Sequence, residues 1–164
     1  MDHDGVDVTT TMRRSRAVCF ALTLTCLAVA GAAVAGTRVE FLEAPGDSRD
    51  LPFSEAVRVD DTIYLSGQLG VKPGTLELVP GGIQPETRQT LENIRATLER
   101  HGSSMADVVK CTAFLADMEG WADMNAVYRE YFPGKKPARS AFGVSGLAFD
   151  ARLELECIAV VQAR

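Results

Sequence analysis

The stretch that most limits the fold is the last one, Leu153-Glu154-Leu155-Glu156-Cys157-Ile158-Ala159-Val160-Val161. Side chains alternate across a strand, so Leu153, Leu155, Cys157, Ala159 and Val161 share one face, while Glu154, Glu156, Ile158 and Val160 share the other. The first face needs a covering layer of helices. The second mixes carboxylates with aliphatic residues and is too apolar at its far end for water alone. It predicts a second subunit over that face, in a closed homo-oligomer.

The upstream chain supplies the sheet and the helices. Val39–Leu42 reads as a first strand, residues 43–51 as a loop, and Ala56–Val59 with residues 62–67 as a hairpin turned at Asp60-Asp61. Lys72-Pro73-Gly74-Thr75 and Pro80-Gly81-Gly82 are turns. Pro85 opens a helix whose Thr87, Leu91, Ile94 and Leu98 fall on one face, with Arg100 and His101 in its last turn and Gly102 at its end. Val108–Leu115 is a buried strand. Asp117 caps a second helix with Trp121, Met124, Tyr128 and Tyr131 on its apolar face, stopped by Pro133-Gly134. Residues 139–144 form a strand and 145–151 a loop. The expected class is α+β, a mixed sheet of about six strands with two helices on one face.

At 164 residues and 46% hydrophobic, the chain suits one domain with an ordinary core. Residues 1–35 stand apart. Met12-Arg13-Arg14-Ser15-Arg16 is basic, 17–30 is an almost unbroken apolar run, and Ala33-Val34-Ala35 precedes Gly36. That order predicts a secretory signal cleaved after Ala35, leaving residues 36–164 as the domain. An uncleaved anchor is the rival, since the run approaches the roughly 20 residues a span needs, although Thr23 and Thr25 interrupt it. Cleavage implies a periplasmic or secreted protein with no lasting membrane contact; retention implies a membrane-anchored one. Met12 competes with Met1 as the start. Cleavage also removes Cys19 and Cys26. Cys111 and Cys157 remain, and their apolar strand settings favour small buried hydrophobes. A disulfide between them suits an oxidising compartment, but spacing alone cannot place their Cα atoms.

Composition excludes much chemistry. A net charge of −5 argues against nucleic acid, whose phosphates want a basic surface. The two histidines, His3 and His101, leave a Ser-His-Asp or Cys-His device almost nothing to stand on, and one His with two strand cysteines makes no spaced zinc set. Ser66-Gly67-Gln68-Leu69-Gly70 is no dinucleotide fingerprint, and no phosphate-loop motif occurs. We therefore expect no metal and no cofactor. What remains is Lys136-Pro137-Ala138-Arg139-Ser140, an arginine at a strand mouth, ahead of the carboxylates of the last strand. An arginine fork holds a small carboxylate by two parallel hydrogen bonds, and a glutamate can activate a water.

Five blocks in order carry a resemblance. They are Ser66-Gly67-Gln68, Gln89-Thr90-Leu91-Glu92-Asn93-Ile94, residues 125–132, Pro137-Ala138-Arg139-Ser140 and Leu153-Glu154-Leu155-Glu156-Cys157-Ile158-Ala159. Over about residues 39–163 the chain resembles the reactive intermediate deaminase family, also called Rid or YjgF. The resemblance implies a chorismate-mutase-like fold and a homotrimer with clefts between subunits. It implies cofactor-free hydrolysis of enamines and imines such as 2-aminoacrylate to 2-keto acids and ammonia. Arg139 matches the arginine that clamps the substrate carboxylate, and Glu154 the glutamate that positions water. Ser66 and the Gly67 backbone match a cleft wall, and Asn125 a cleft asparagine. Phe53 stands where many members have tyrosine and Ala141 where many have cysteine. Both departures remove a polar group, so rate or substrate range should shift while the carboxylate clamp stays. Two rivals stand: a non-catalytic binder of small carboxylates or chaperone-like protein of the same fold, and an RNA-cleaving role that the charge opposes.

Without the blocks around them these residues read blandly. Arg139 would be a solvated strand-end residue, Glu154 and Glu156 a polar strand face, Ser66 a strand-end hydrogen bond, and Phe53, Trp121 and Tyr128 packing.

Overall fold

The structure, a computed structural model, describes Met1, residues 36–44 and residues 51–161. The proposed signal, and residues 45–50 of the loop after the first strand, lie outside the described residues. Among the described residues no helix is long and apolar enough to cross a membrane.

Seven strands form one mixed sheet. They are β1 (Val39–Leu42), β2 (Ala56–Val59), β3 (Thr62–Leu65), β4 (Gln68–Leu69), β5 (Val108–Leu115), β6 (Ala138–Gly143) and β7 (Leu153–Val160). The helices are α1 (Ile83–Arg100) and α2 (Trp121–Tyr131). The strand order is β1-β2-β3-β7-β5-β6, antiparallel except for the parallel pair β5 and β6. That parallel pair is bridged by α2, as a parallel connection requires a crossover. The long last strand is the centre of the sheet.

The expected strand over residues 62–67 is broken. β3 runs along the C-terminal half of β7, with Thr62 opposite Val160, and β4 along its N-terminal half, with Gln68 opposite Leu155. Ser66 and Gly67 make the bend between them. A two-residue strand has no period to read, which is why the sequence suggested six strands and not seven.

The face of β7 expected to meet the helices does so: Leu153, Leu155, Cys157 and Ala159 are all buried, against Leu91, Ile94 and Leu98 of α1 and Met124 and Val127 of α2. Thr87 and Thr90 are also buried in α1, and their hydroxyls donate to the carbonyls of Ile83 and Glu86, which satisfies them locally. Gly102 takes φ 74° just beyond α1, the left-handed position that glycine adopts without a Cβ clash. Trp121 departs from expectation. It is the first residue of α2 and 43% exposed, and the buried face is Met124, Asn125, Val127 and Tyr128.

No helix among the described residues lies on the opposite face of the sheet. Phe41, Val57, Tyr64 and Ile158 form one row across β1, β2, β3 and β7, with Phe41 72% and Tyr64 46% exposed.

Cys111 and Cys157 are buried, as expected of small hydrophobes, but they are also bonded to each other, so the reading as separate buried thiols is corrected. They are direct cross-strand partners in the antiparallel pair β5 and β7, with Cα atoms 4.1 Å apart. The pairing register brings them together, and their sequence separation of 46 carries no trace of it.

Candidate functional site

The strand register separates the predicted site residues into two groups. Arg139 pairs with Cys111, and Cys111 with Cys157, so all three lie in one row on the helix-covered face. Ala141 lies two residues on, beside Ala113, on the same face. Glu154 is three residues from Cys157 along β7, an odd step, and therefore lies on the other face. Its row is Leu69, Glu154, Phe114 and Phe142 across β4, β7, β5 and β6. Within one protomer the arginine and the glutamate lie on opposite faces of the sheet.

Arg139 is on the edge strand β6 and partly buried under α2. Its Nη2 donates to Asn125 Oδ1 at 2.5 Å, and its Nη1 lies 3.7 Å from Met124 Sδ. The guanidinium carbon sits 4.5 Å from the centre of the Tyr128 ring, a cation–π geometry. Burial pushes the Tyr128 phenol up to about 12, with the Arg139 charge opposing the shift, so the ring faces the cation as neutral phenol. Among the described residues Arg139 has no carboxylate partner. Asn125 is 7% exposed, so the acceptor that holds the arginine is itself buried.

On the far face, Glu154 borders a cavity of about 490 Å³. Gly67 and Phe53 share it, as do Leu51, Leu76 and Phe149. The Glu154 carboxylate lies directly over Gly67, where a side chain would overlap it. It makes no hydrogen bond to another described residue. Its carboxyl is held above the ordinary carboxylate range by burial, with the Glu156 charge adding to the shift. Its cross-strand neighbours in the row are the apolar Leu69 and Phe114. Glu43 and Glu55 also line the cavity, and among the described residues no Lys, Arg or His does. Glu43 accepts from Ser54 Oγ. Glu55 is held by Thr97, Arg100 and His101; burial raises its carboxyl, but those bonds outweigh burial and leave it below the ordinary range. His101 therefore serves as a partner of Glu55 at the end of α1.

Ser66 joins neither group. Its hydroxyl donates to the Ser54 carbonyl at 2.7 Å and its amide to the Glu55 carbonyl, so its bonds fix the bend before Gly67.

Two residues that sequence reasoning did not single out hold this wall in place. Glu86, 5% exposed in α1, accepts from the Arg152 amide at 2.7 Å, two residues before Glu154. Asn93 donates its side-chain amide to the carbonyls of Leu69 and Val71, fixing the outer edge of β4. Asn93 lies in the Gln89–Ile94 block, and an amide facing the core side of a helix was the available signal.

The family model described as endoribonuclease L-PSP matches residues 47–161. The 2-iminobutanoate/2-iminopropanoate deaminase of Mus musculus is 46% identical over 109 residues, 66% of this chain and 81% of the mouse protein. A RutC family protein of Pyrococcus horikoshii is 47% identical over 108 residues, 66% of this chain and 86% of that one. Among solved structures, the Rid family protein YyfA of Yersinia pestis superposes with a TM-score of 0.71 at 36% identity, covering 76% of this chain and 100% of that one. E. coli TdcF with bound serine superposes at 0.66 and 35% identity, covering 76% and 98%. The same mixed sheet backed by two helices, matched over this length and at these identities, makes the chain a member of the endoribonuclease L-PSP family, the Rid or YjgF family that its five sequence blocks resemble.

Proposed function

We propose that the protein is a cofactor-independent deaminase that hydrolyses 2-imino acids, and the enamines in equilibrium with them, to 2-keto acids and ammonia. The observation that carries this reading is Arg139. Its guanidinium is oriented by an amide, a thioether and an aromatic ring, and no carboxylate of the described residues neutralises it. A preset fork of that kind suits a substrate carboxylate. Relatives 41–47% identical that bear the name 2-iminobutanoate/2-iminopropanoate deaminase support the reaction class.

The opposite-face placement of Arg139 and Glu154 calls for two copies of the chain. Arg139, Asn125 and Ala141 of one copy meet Glu154, Gly67 and Phe53 of the next, in the homotrimer that the family resemblance implies. The same assembly covers the apolar row of Phe41, Tyr64 and Ile158. It also brings a cation to a cavity whose described lining carries carboxylates only as its charged groups.

In the proposed reaction the substrate carboxylate docks on Arg139. Water bonds through its oxygen to the imine carbon while Glu154 accepts its proton, and the imine nitrogen takes up a proton. The proton on Glu154 then passes to the amine, the carbon–nitrogen bond breaks with its electron pair on nitrogen, and ammonia departs while the carbinol hydroxyl returns to solvent a proton equal to the one the imine nitrogen took from it. One water is consumed, and the carbonyl of the 2-keto acid remains. Such imines also hydrolyse unaided, so orientation and modest acid–base help suffice. The family description names an endoribonuclease, but the three carboxylates that line the cavity, Glu43, Glu55 and Glu154, oppose a phosphate backbone.

We further propose that residues 1–35 direct export and that residues 36–164 are the working domain. The buried Cys111–Cys157 bond supports an oxidising destination, where disulfides persist.

Complementation tests the assembly and the reaction together. Arg139→Ala and Glu154→Gln chains are each inactive alone in an assay where an amino-acid oxidase generates imines and semicarbazide traps those that remain. Co-refolded in equal amounts, they regain about a quarter of wild-type activity, the fraction of interfaces pairing an intact arginine with an intact glutamate in a random ring. No recovery would place both residues in one protomer's site or outside it. Full activity of Arg139→Ala would sink the deaminase reading, and ligand binding without turnover would favour the binder.

A further inference from the structure

Large apolar side chains left in solvent need a reason when they gather in one place. Leu51, Phe53, Leu76 and Phe149 are 38%, 55%, 47% and 52% exposed, and all four line the cavity that ends at Glu154. They come from three separate segments: the loop before β2, the excursion after β4 and the turn before β7. Packing within the protomer does not account for them, because its core is on the other face of the sheet.

Phe149 adds a second observation. Its backbone sits at φ 58°, ψ 22°, and Asp150 follows at φ 58°. Left-handed backbone is uncommon for a bulky residue and is retained where function requires it. A glycine would adopt this turn without strain, whereas here the strained position carries an aromatic side chain. The ring borders the cavity.

Size completes the argument. A cavity of about 490 Å³ is the scale of sites for ligands much larger than a three-carbon acid. A substrate bearing only a methyl group would touch Glu154 and leave the apolar walls unfilled.

We propose that this cavity is the subsite for the substrate side chain, and that it selects 2-imino acids with large apolar side chains, branched aliphatic or aromatic, over those the size of alanine. Phe149 and Leu76 are the specificity-determining residues. The inference rests on the deaminase reading and narrows it, since the relatives' names refer to substrates with methyl and ethyl side chains.

The test compares kcat/KM for imines generated from leucine, phenylalanine and alanine, in wild type, Phe149→Gly and Leu76→Ser. Wild type should favour the leucine-derived over the alanine-derived imine at least tenfold, and each variant should cut that ratio by about tenfold, the scale expected when one apolar group is removed from a pocket wall. A folding defect lowers both rates and leaves the ratio alone. Hydrolysis with no side-chain preference, or a preference that neither variant moves, would overturn the subsite and leave the deaminase intact. If no imine is hydrolysed the deaminase reading falls, and titration with the stable 2-keto acids of leucine and alanine then judges the subsite. Tighter binding of the former that Phe149→Gly abolishes would support it, and equal affinities would overturn it.

Discussion

The Glu154 carboxylate occupies the space that a side chain on Gly67 would need: a Cβ built there overlaps Glu154 Oε1. Gly67 is thus required for the room it leaves, since its φ is outside the left-handed range. Gly67→Ala should fold, with Tm within a few degrees of wild type, and should push the carboxylate away from its place beside the cavity. We expect kcat to fall at least tenfold, because general-base help of the usual size depends on that placement. Unchanged kcat with an intact fold would show that Glu154 need not lie against residue 67.

Glu154 also sets a pH signature. Its folded-state carboxyl titrates above its unfolded value because burial, and then Glu156, disfavour the charge. The sign follows from linkage. The native state holds this proton more tightly, so the group's contribution to stability is full below the unfolded carboxyl value and is lost as pH rises through the folded one. Glu154→Gln should therefore melt slightly higher than wild type at pH 7, and the gap should close near pH 4. The same variant should lose about 10²–10⁴-fold in kcat. In the wild type the acid limb of kcat/KM should lie above the ordinary glutamate range. Thermal melts and a pH–rate profile check both, and an acid limb at the ordinary value would remove Glu154 as the titrating base.

Arg139 and Asn125 separate charge from geometry. Arg139→Lys keeps the cation but not the planar fork, and should lower kcat/KM by about 10- to 100-fold, the worth of one charge-assisted hydrogen bond. Asn125→Ala removes the buried acceptor at 2.5 Å and leaves the charge, so the loss should be smaller and fall mainly on KM. Equal activity of Arg139→Lys and wild type would show that a point charge suffices.

What could be read from the sequence depended on distance along the chain. The alternation of residues 153–161 assigned both faces of β7 correctly, because a strand's period is local. Both helices followed from spacing, but α1 begins at Ile83, two residues before Pro85, Asp117 caps the short turn Met118–Gly120 that leads into α2 and not α2 itself, and Trp121 was assigned to a core face and lies exposed. The break at Ser66-Gly67 had no periodic signal. The bond from Glu86 to the Arg152 amide spans 66 residues, and the Asn93 contacts span more than 20; neither leaves a mark in a linear pattern. The candidates Arg139, Glu154, Gly67 and Asn125 were legible from the family blocks, and Phe53 and Ala141 from the wider resemblance. Their division into two faces was not, since it depends on the register among β5, β6 and β7. Leu51, Leu76 and Phe149 were invisible for a related reason: three loops converge on one cavity only once the sheet is built.

The disulfide is a further consequence of register, and it gives a prediction independent of catalysis. Cys111 and Cys157 face each other across the two central strands, and Cys111 is the row neighbour of Arg139. The bond closes a loop of 46 residues, which restricts the unfolded chain and should stabilise the fold by about 2–4 kcal/mol. Reductant strong enough to open a buried bond should lower Tm by roughly 5–15 °C. A Cys111→Ala/Cys157→Ala variant should start from a lowered Tm and show no response to reductant. Denatured wild type should resist alkylation at both cysteines until it is reduced. Two thiols that alkylate without reduction, together with a Tm indifferent to reductant, would return the pair to the role of separate buried hydrophobes and withdraw the support they give to export.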